Sequence, residues 1–279
     1  MRALELGLNT VDAALRQARL SIAAAEARQL LAHTLARPHA WLAAHGEATL
    51  APDQAAQFTR LVARRAEGWP IAYLTGEREF YGRRFALTPE VLIPRPETEL
   101  LVELGLEQVR GMDSPQLLDL GCGSGCIAIT LASEMRQARV TAADISSAAL
   151  ALARRNAAAH AVQLTLVQSD WFAALQGQRF ELILANPPYV AAGDAHLDQG
   201  DLRFEPRLAL CSGDDGLTAI RSIVARAPAY LAPGGSLFLE HGYDQAAAVR
   251  DLFAAGGYRE IEQRPDLAGI MRVTGGTVA

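Results

Sequence analysis

The sequence predicts an α/β fold in which a doubly wound, mostly parallel seven-stranded sheet follows a small bundle of helices. From about residue 116 onward, apolar runs of strand length alternate with stretches of helical periodicity. Before residue 68, apolar residues instead recur at helical spacing. A segment of extended pattern lies between the two regions. We therefore expect a helical domain at 1–70, a β-hairpin linker at 71–95 and an α/β domain at 96–279.

The net charge of the chain limits which kinds of binding partner we expect. The 279 residues carry a net charge of −5, and the basic residues form no stripe or tail. Proteins that bind a duplex usually cluster positive charge, so we expect no direct nucleic-acid partner. A negative net charge suits a small-molecule cofactor and a protein substrate with a basic surface.

Cysteine usage and hydropathy indicate a compartment. Cys122, Cys126 and Cys211 are odd in number and share no repeated spacing, which argues against a disulfide framework. No apolar run is long enough to cross a bilayer. Residues 1–8 lack the apolar core of a signal peptide. We therefore expect a cytoplasmic protein with no membrane partner.

The N-terminal helices have recognisable start signals. Ser21 is placed to cap one helix, and Pro38 is placed to start another. Pro52 fits the first turn of a third helix at 53–67. Short loops between helices predict a small antiparallel bundle.

A hairpin and the sheet follow the bundle. Residues 79–87 predict a β-hairpin that turns at Gly82, and the acidic stretch 94–99 opens a helix. The predicted strands are 117–120, 139–143, 164–168, 180–185, 236–240, 258–263 and 270–274, and the predicted helices among them are 127–135, 146–160, 217–231 and 245–255. The last two strands have no helix between them, so one of them should run antiparallel at or near an edge.

A glycine-rich loop follows the first strand and opens a helix, from Asp119 to Gly125. Its members are Gly121, Cys122, Gly123, Ser124 and Gly125. Glycines allow sharp turning and let a ligand approach the backbone, and the N–H groups of a helix start can receive a polar group. The G-x-G-x-G spacing differs from the dinucleotide fingerprint, and a plain strand-to-helix turn is the alternative interpretation.

Polar side chains also follow the next two strands. Asp144 can accept hydrogen bonds from ribose hydroxyls, or it can simply cap the following helix. Trp171 offers a stacking surface for a purine, or packs into the core, while Asp170 can accept from an exocyclic amine. Ligands of open α/β sheets bind beyond the carboxyl ends of strands, so three such features together favour a nucleoside-containing ligand.

The fourth strand ends in Asn186, Pro187, Pro188 and Tyr189. Two prolines make a rigid extended turn without N–H donors, and their carbonyls remain as acceptors. The Asn186 side chain adds another oxygen acceptor. Two acceptors can hold both hydrogens of a planar –NH2, with Tyr189 against its flat face. The site suits a carboxamide or an exocyclic base amine, and a proline-stiffened loop is the alternative.

These residues resemble the class I S-adenosylmethionine methyltransferases, and more closely the HemK/PrmC family of peptide chain release factor glutamine methyltransferases. The resemblance covers essentially the whole chain. Besides the helical N-terminal region, it lies in residues 79–82, 91–99, 119–125, 169–172, 186–189, 203–206 and 240–242.

The resemblance implies N5-methylation of the glutamine in the Gly-Gly-Gln motif of release factors, with S-adenosyl-L-methionine as donor and no metal. It implies a monomer whose protein partner is a release factor, docked with the help of the helical domain. The implied cofactor contacts are Gly121, Cys122, Gly123, Ser124, Gly125, Asp144, Trp171 and Asn186. The implied catalytic residues are Asn186, Pro187 and Tyr189, and the substrate glutamine is held by Asn186, Pro187, Pro188 and Tyr189. Phe80 and the segment 95–99, with Arg95 and Glu97, are expected to close over the site.

Three rival functions remain at this point. A ribosomal-protein glutamine methyltransferase fits the same chemistry, and so does an adenine N6-methyltransferase, although the latter needs a basic groove and base flipping. A non-catalytic cofactor-binding protein would leave Asn-Pro-Pro-Tyr unexplained.

His33, His39 and His45 are six residues apart and do not share a helical face, so they predict no metal site. We also expect an ion pair within 203–206, and a structural role for Glu240 and His241.

Overall fold

The computed structural model describes residues 10–279. Residues 1–9, which include the stretch assessed for a signal peptide, lie outside the described residues. Within 10–279, no helix is long and apolar enough to span a membrane. The chain divides into two compact units. The helical unit runs through Glu77 and includes 198–204, and the sheet unit comprises 78–197 and 205–279.

The described part of the helical unit contains five helices: α1 Val11–Ala18, α2 Ala24–Leu35, α3 His39–Ala44, α4 Pro52–Ala66 and α5 Ile71–Thr75. The Thr10 hydroxyl caps α1 by accepting from Ala13 N at 3.3 Å. Pro52 occupies the first turn of α4, as the sequence predicts. The core of the unit is formed by the apolar stripes of these helices, with Leu30, Leu31 and Phe58 almost fully buried.

The predicted cap at Ser21 is wrong. Helix α2 begins three residues later, and its N-cap position is Ala23. The Glu26 side chain accepts from the backbone N–H of Ala23 at 3.3 Å, so a carboxylate satisfies the helix start instead of a serine hydroxyl.

The helical unit also includes residues 198–204, from the loop that follows the Asn-Pro-Pro-Tyr motif. Asp201 forms an ion pair with Arg65 at 2.9 Å, and the ring of Phe204 packs on Trp69 with centroids 4.7 Å apart. Arg203 donates to the backbone carbonyl of Glu67. The ion pair expected within 203–206 is therefore wrong, because Arg203 bonds a carbonyl of its own unit.

The sheet unit contains a two-stranded hairpin and a seven-stranded sheet. The hairpin strands are β1 Glu77–Phe80 and β2 Arg83–Ala86, with the turn at Tyr81 and Gly82. The strands of the large sheet are β3 Gln116–Leu120, β4 Arg139–Asp144, β5 Thr165–Gln168, β6 Phe180–Ala185, β7 Leu231–Glu240, β8 Arg259–Pro265 and β9 Met271–Thr277. The helices of this unit are α6 Glu99–Gln108, α7 Cys126–Glu134, α8 Ser147–Ala159, α9 Arg207–Leu210, α10 Thr218–Arg226 and α11 Ala246–Ala255.

The strand order in the large sheet is β5-β4-β3-β6-β7-β9-β8. The five strands from β5 to β7 are parallel, and β9 runs antiparallel to both β7 and β8. Separate apolar clusters cover the two faces of the sheet. The predicted doubly wound, mostly parallel sheet of seven strands is confirmed, and so is the antiparallel strand near its edge.

Two boundaries around the fifth strand of the sheet differ from the prediction. Helix α10 ends at Arg226, because Pro228 lies in a short 3-10 turn at Ala227–Ala229. Strand β7 already begins at Leu231 and shifts register against β6 before Ser236. Gly234 and Gly235 interrupt the apolar pattern in between, which explains why the sequence predicts only the second half of the strand.

Candidate active site

A cavity of about 850 Å³ lies within the sheet unit, at the carboxyl ends of the parallel strands. The segments that line it include 89–92, 120–124, 143–146, 169–171, 186–188, 206–213 and 218–226. Open α/β sheets place their ligands in this position. The structure therefore brings the glycine loop, Asp144, Trp171 and the first three residues of Asn-Pro-Pro-Tyr to one cavity.

The glycine loop turns through the left-handed backbone region. Gly121, Gly123 and Gly125 have φ angles of 75°, 53° and 81°, which glycine tolerates best. A Cβ placed on Gly123 would meet no atom within 4 Å, whereas one on Gly125 would lie 3.1 Å from Ala153. The open space beside Gly123 leaves room for a ligand to approach the backbone there. The crowding at Gly125 shows that this glycine instead packs against α8.

The loop is held from below by buried groups. Asp119 in β3 is fully buried and accepts from the backbone N–H of Ala128 at 3.1 Å. Burial raises the pKa of Asp119 to about 7, although the Ala128 N–H opposes the rise. Burial likewise raises the pKa of Cys122, and that of Cys126 to about 12. These two thiols are therefore protonated at neutral pH.

Asp144 connects two parts of the cavity wall. One carboxylate oxygen accepts from Gly123 N at 2.9 Å, and the other accepts from Ser146 N at 2.9 Å. The cap of α8 is instead Ser146, whose hydroxyl accepts from Ala149 N at 3.2 Å. Burial raises the pKa of Asp144, and its backbone partners oppose that rise. The alternative of a simple helix cap is thus excluded, because another residue occupies that position.

Trp171 lines the cavity together with Asp170. Its backbone is left-handed, with a φ of 49°. The Ser169 hydroxyl holds this turn by donating to the Trp171 carbonyl at 2.7 Å, and it accepts from Ala174 N at 3.0 Å. The indole ring lies 3.6 Å from where a Cβ of Gly121 would be. The ring is therefore beside the glycine loop, at the surface that a stacked purine would need.

The Asn186 side-chain amide is hydrogen-bonded at its nitrogen but not at its oxygen. Its Nδ2 donates to the Thr98 hydroxyl at 3.0 Å. The Thr98 hydroxyl in turn donates to Glu240 at 2.7 Å. The Asn186 Oδ1 atom is buried and has no hydrogen-bond partner among residues 10–279. Asn186 and Pro187 both line the cavity, so this acceptor belongs to the cavity wall.

Tyr189 lies behind that wall and is not among the described residues that line the cavity. Its hydroxyl donates to Glu240 at 3.1 Å, and its carbonyl accepts from Gln245 Nε2 at 2.9 Å. Burial raises the pKa of Tyr189, and the nearby Glu240 charge adds to the rise. The phenol is therefore neutral at physiological pH, and its predicted contact with the substrate stays a prediction.

Comparisons with known proteins name the family. The family model for the PrmC N-terminal domain matches residues 8–76, and that for the methyltransferase small domain matches 97–201. A release factor glutamine methyltransferase of Burkholderia pseudomallei (strain K96243) is 54% identical over 260 residues, covering 91% of this chain and 91% of its own. The one from Bordetella pertussis (strain Tohama I) is 52% identical over 252 residues, covering 90% and 93%. This chain belongs to the release factor glutamine methyltransferase family.

Membership confirms the family and the enzyme class predicted from the sequence. Methyltransferases of this family use S-adenosylmethionine. Among solved structures, the 16S rRNA N2 methyltransferase of T. thermophilus in complex with AdoMet and guanosine is similar, with a TM-score of 0.53 and 22% identity. It covers 73% of this chain and 50% of its own chain, and at this identity the likeness supports the fold alone.

Phe80 does not take the place that the family resemblance implies. It is 1% exposed in the apolar core of the sheet unit, where its ring packs edge-on against Phe85 at 6.2 Å. A core side chain cannot close over a cavity, so this expectation is wrong. Arg95 instead forms an ion pair with the buried Glu205 at 2.5 Å, and Glu205 also accepts from Ile93 N at 3.0 Å.

Sequence reasoning missed Thr98, Glu205 and Glu240 as contributors to the site. Each is at most 4% exposed, although threonine and glutamate usually face solvent. One sign was available for Glu240, because it directly follows the apolar run 237–239, whose residues are buried. His241, expected to be structural, is fully buried and bonds the Thr274 hydroxyl and the Gly242 carbonyl at 2.9 Å each. Among residues 10–279, no group of three or more His, Cys, Asp and Glu could hold a metal ion.

Proposed function

We propose that this enzyme methylates the side-chain nitrogen (N5) of the glutamine in the Gly-Gly-Gln motif of a peptide chain release factor. The observation that carries the proposal is the unpartnered, buried Oδ1 of Asn186 in the cavity wall. A buried acceptor without a partner costs roughly 1–3 kcal/mol, and an N–H donor from a ligand removes that cost. A carboxamide provides such a donor. The named relatives are release factor glutamine methyltransferases, which supports a protein glutamine as its source.

The residues around the glycine loop fit S-adenosyl-L-methionine. The open space beside Gly123 lets a ligand lie on the backbone, and Asp144 keeps acceptor capacity for ribose hydroxyls on both oxygens. Trp171 would stack on the adenine. Gly121, Cys122 and Ser124 line the cavity and would complete the loop contacts. The predicted cofactor contact of Gly125 stays a prediction, because Gly125 packs against Ala153 and is not among the described residues that line the cavity. When bound, the sulfonium supplies an activated methyl group and departs as a neutral thioether.

The chain's own residues act mainly by positioning the acceptor nitrogen. An amide lone pair is conjugated, so the nitrogen is a weak nucleophile unless its geometry is fixed. We assign one N–H of the glutamine amide to Asn186 Oδ1 and the other to the Pro187 carbonyl. Because Pro187 and Pro188 fix their φ angles, the two acceptors need little reorganisation. Their hold on the N–H groups strengthens as positive charge develops on nitrogen, which stabilises the transition state selectively.

The remaining proton leaves the nitrogen after the N–CH3 bond forms. We assign no side chain as its base. Both oxygens of Glu240 are already bonded by the Thr98 and Tyr189 hydroxyls, and the carboxylate is 1% exposed. Transfer to water fits this arrangement, because the product amide is a far weaker base than water.

Replacing Asn186 tests the function. We expect Asn186→Ala to lower kcat on a release factor by about 10²- to 10³-fold, as for the loss of one preorganised polar contact elsewhere. Binding of S-adenosylmethionine, measured by calorimetry, should be partly retained, because Asn186 is also an implied cofactor contact. Wild-type turnover in this variant would remove Asn186 from the mechanism.

The substrate is tested by incubating the enzyme with labelled cofactor and one of three acceptors: a release factor, a ribosomal protein mixture or an adenine-containing oligonucleotide. Mass spectrometry then locates the label. We expect methylation of the Gly-Gly-Gln glutamine alone, and a release factor with Gly-Gly-Glu serves as the matched control. Label on ribosomal protein or adenine, with none on the release factor, would contradict the proposed substrate.

A further inference from the structure

A cluster of hydrogen bonds lies directly behind the Asn-Pro-Pro-Tyr motif. Glu240, at the end of β7, accepts from the Thr98 hydroxyl at 2.7 Å with one oxygen and from the Tyr189 hydroxyl at 3.1 Å with the other. Thr98 also accepts from Asn186 Nδ2 at 3.0 Å. Glu240 is 1% exposed and Thr98 is 2% exposed, so solvent does not compete for these bonds. One buried carboxylate thus reaches both polar ends of the motif.

The direction of each bond follows from the chemistry of the groups. An ionised carboxylate has no hydrogen and can only accept. The Thr98 hydroxyl must therefore donate its single hydrogen to Glu240. The Thr98 oxygen can then only accept from Asn186. An Asn186 amide turned by 180° would set its oxygen against the Thr98 oxygen with no hydrogen between them. That orientation loses a buried hydrogen bond and is disfavoured by about 1–3 kcal/mol.

The consequence appears at the other end of the amide. With Nδ2 directed to Thr98, Oδ1 is left in the cavity wall without a partner among residues 10–279. Nothing in asparagine itself selects this orientation, because its two ends are nearly equal in size. The selection comes from a carboxylate that is not among the residues lining the cavity.

We propose that Glu240 is a positioning residue: acting through the Thr98 hydroxyl, it fixes the Asn186 amide with its oxygen toward the substrate. This inference rests on the proposed function. It also accounts for selection of a carboxamide over a carboxylate, since an oxygen acceptor in the wall attracts N–H groups and repels a glutamate side chain. Through the Tyr189 hydroxyl, the same carboxylate holds the far end of the motif.

The first test compares two replacements of Thr98. Thr98→Val keeps the volume but removes the acceptor of Asn186 Nδ2. The productive orientation then leaves the Nδ2 donors buried without a partner, so the amide favours the orientation that turns Nδ2 toward the cavity. We expect kcat on the release factor to fall about 10- to 100-fold, corresponding to the free-energy cost above. Affinity for S-adenosylmethionine should not change. Thr98→Ser retains the hydroxyl and should recover most of the lost kcat, which a purely steric role of Thr98 would not explain.

A double-mutant cycle tests whether the effect passes through Asn186. In the Asn186→Ala background there is no amide to orient, so adding Thr98→Val should lower kcat no further. Full additivity of the two losses would overturn the proposal. The same holds if Thr98→Val, with wild-type thermal stability, keeps kcat within about twofold of wild type, since that is less than 0.5 kcal/mol.

Glu240→Gln tests the carboxylate itself. The glutamine side chain has a similar size but carries two N–H donors, so the Thr98 hydroxyl can accept from it and turn its hydrogen toward Asn186. Its amide oxygen can also face Thr98, with the N–H groups on the Tyr189 oxygen, so we expect a smaller loss of kcat than in Thr98→Val. Combining the two should add no loss to that of Thr98→Val, and an additive loss would overturn the role of Glu240. If Glu240→Gln does not fold, the comparison of Thr98→Val with Thr98→Ser still tests the proposal. An impaired Asn186→Ala with a fully active Thr98→Val would refute only this inference, whereas a fully active Asn186→Ala would refute the proposed function.

Discussion

At the scale of single residues, buried carboxylates set the character of the site. Asp119, Asp144 and Glu240 lie under or beside the cavity, and burial raises the pKa of each. Each raised pKa means that the folded protein binds the proton more tightly than the unfolded chain does. The site therefore costs some stability at neutral pH, as functional sites commonly do.

Asp119 gives this cost a measurable pH dependence. Its pKa is about 7 in the folded protein against an ordinary value of 3.8. Its stabilising contribution is complete below about pH 4 and is lost as the pH rises through about 7. Asp119→Asn is neutral at every pH. We expect wild type to lose roughly 2–3 kcal/mol more stability than this variant between pH 5 and pH 8. Urea unfolding at several pH values measures the difference, and parallel curves would contradict the raised pKa.

Asp144 is predicted to act on the cofactor. Removing its carboxylate in Asp144→Ala should weaken S-adenosylmethionine binding by about 1–3 kcal/mol, the value of a hydrogen-bonded charged group. Ser146→Ala is the matched control, because it removes the cap of α8 and costs about 1 kcal/mol of stability without removing the carboxylate. Calorimetry should separate the two variants. If Asp144→Ala and Ser146→Ala bind S-adenosylmethionine with equal affinity, the Asp144 carboxylate only holds Gly123 in place and does not bond the cofactor.

The sequence predicts which residues meet at the cavity better than it predicts what holds them. Asp144, Trp171 and Asn186 follow strands, so a parallel sheet necessarily brings them to one edge. Thr98 and Glu240 bond across 142 positions of sequence, and no local pattern encodes such a pair. The same limit explains Phe80, whose place in the core depends on how the hairpin packs rather than on its own motif.

At the scale of elements, the antiparallel strand β9 is shaped around its neighbour. Gly275 lies opposite Phe238 of β7 in the sheet register. A Cβ on Gly275 would lie 2.1 Å from the ring of Phe238, which is 2% exposed. The glycine therefore provides the space that a large core side chain occupies.

Gly275→Ala should consequently destabilise the protein by about 1–3 kcal/mol, the usual cost of overpacking a core. The matched control is Gly193→Ala, where a Cβ would meet no atom within 4 Å. We expect that control to stay within about 0.5 kcal/mol of wild type. Urea unfolding measures both, and equal stability of the two variants would show that the ring of Phe238 moves aside freely.

Element prediction succeeded where periodicity and length agree. Strand β6 is predicted with its observed bounds, because a six-residue run that is apolar except for Glu181 is bounded by polar and proline residues. The helix α10 was predicted too long by several residues, since alanine and tyrosine after Pro228 continue an apolar pattern that the proline has already broken. The spacing of apolar residues indicates which side chains are buried, whereas the end of a helix depends on individual backbone hydrogen bonds.

At the scale of the whole molecule, the helical unit is proposed to help dock the release factor. We expect deletion of residues 1–70 to leave S-adenosylmethionine affinity unchanged. It should raise KM for the intact release factor by about tenfold or more, equivalent to at least 1.4 kcal/mol of lost docking energy. Steady-state kinetics with the intact factor measure this.

A short peptide containing Gly-Gly-Gln is the control for that deletion, because it has no further surface to dock. The full-length and truncated proteins should methylate it alike. The deletion also removes Arg65 and Trp69, the partners of Asp201 and Phe204, so residues 198–204 lose their packing. Equal rates on the intact factor with and without residues 1–70 would refute docking by this unit.

The position of β9 between β7 and β8 imposes an order on assembly. Strand β8 precedes β9 along the chain, yet β9 is its neighbour in the described sheet. As the nascent chain emerges, β8 has no edge to join until residues 271–277 follow, and β7 meanwhile presents an open edge to other chains. An enzyme that modifies the factors ending translation thus completes its seven-stranded sheet only after the six other strands of that sheet have been synthesised.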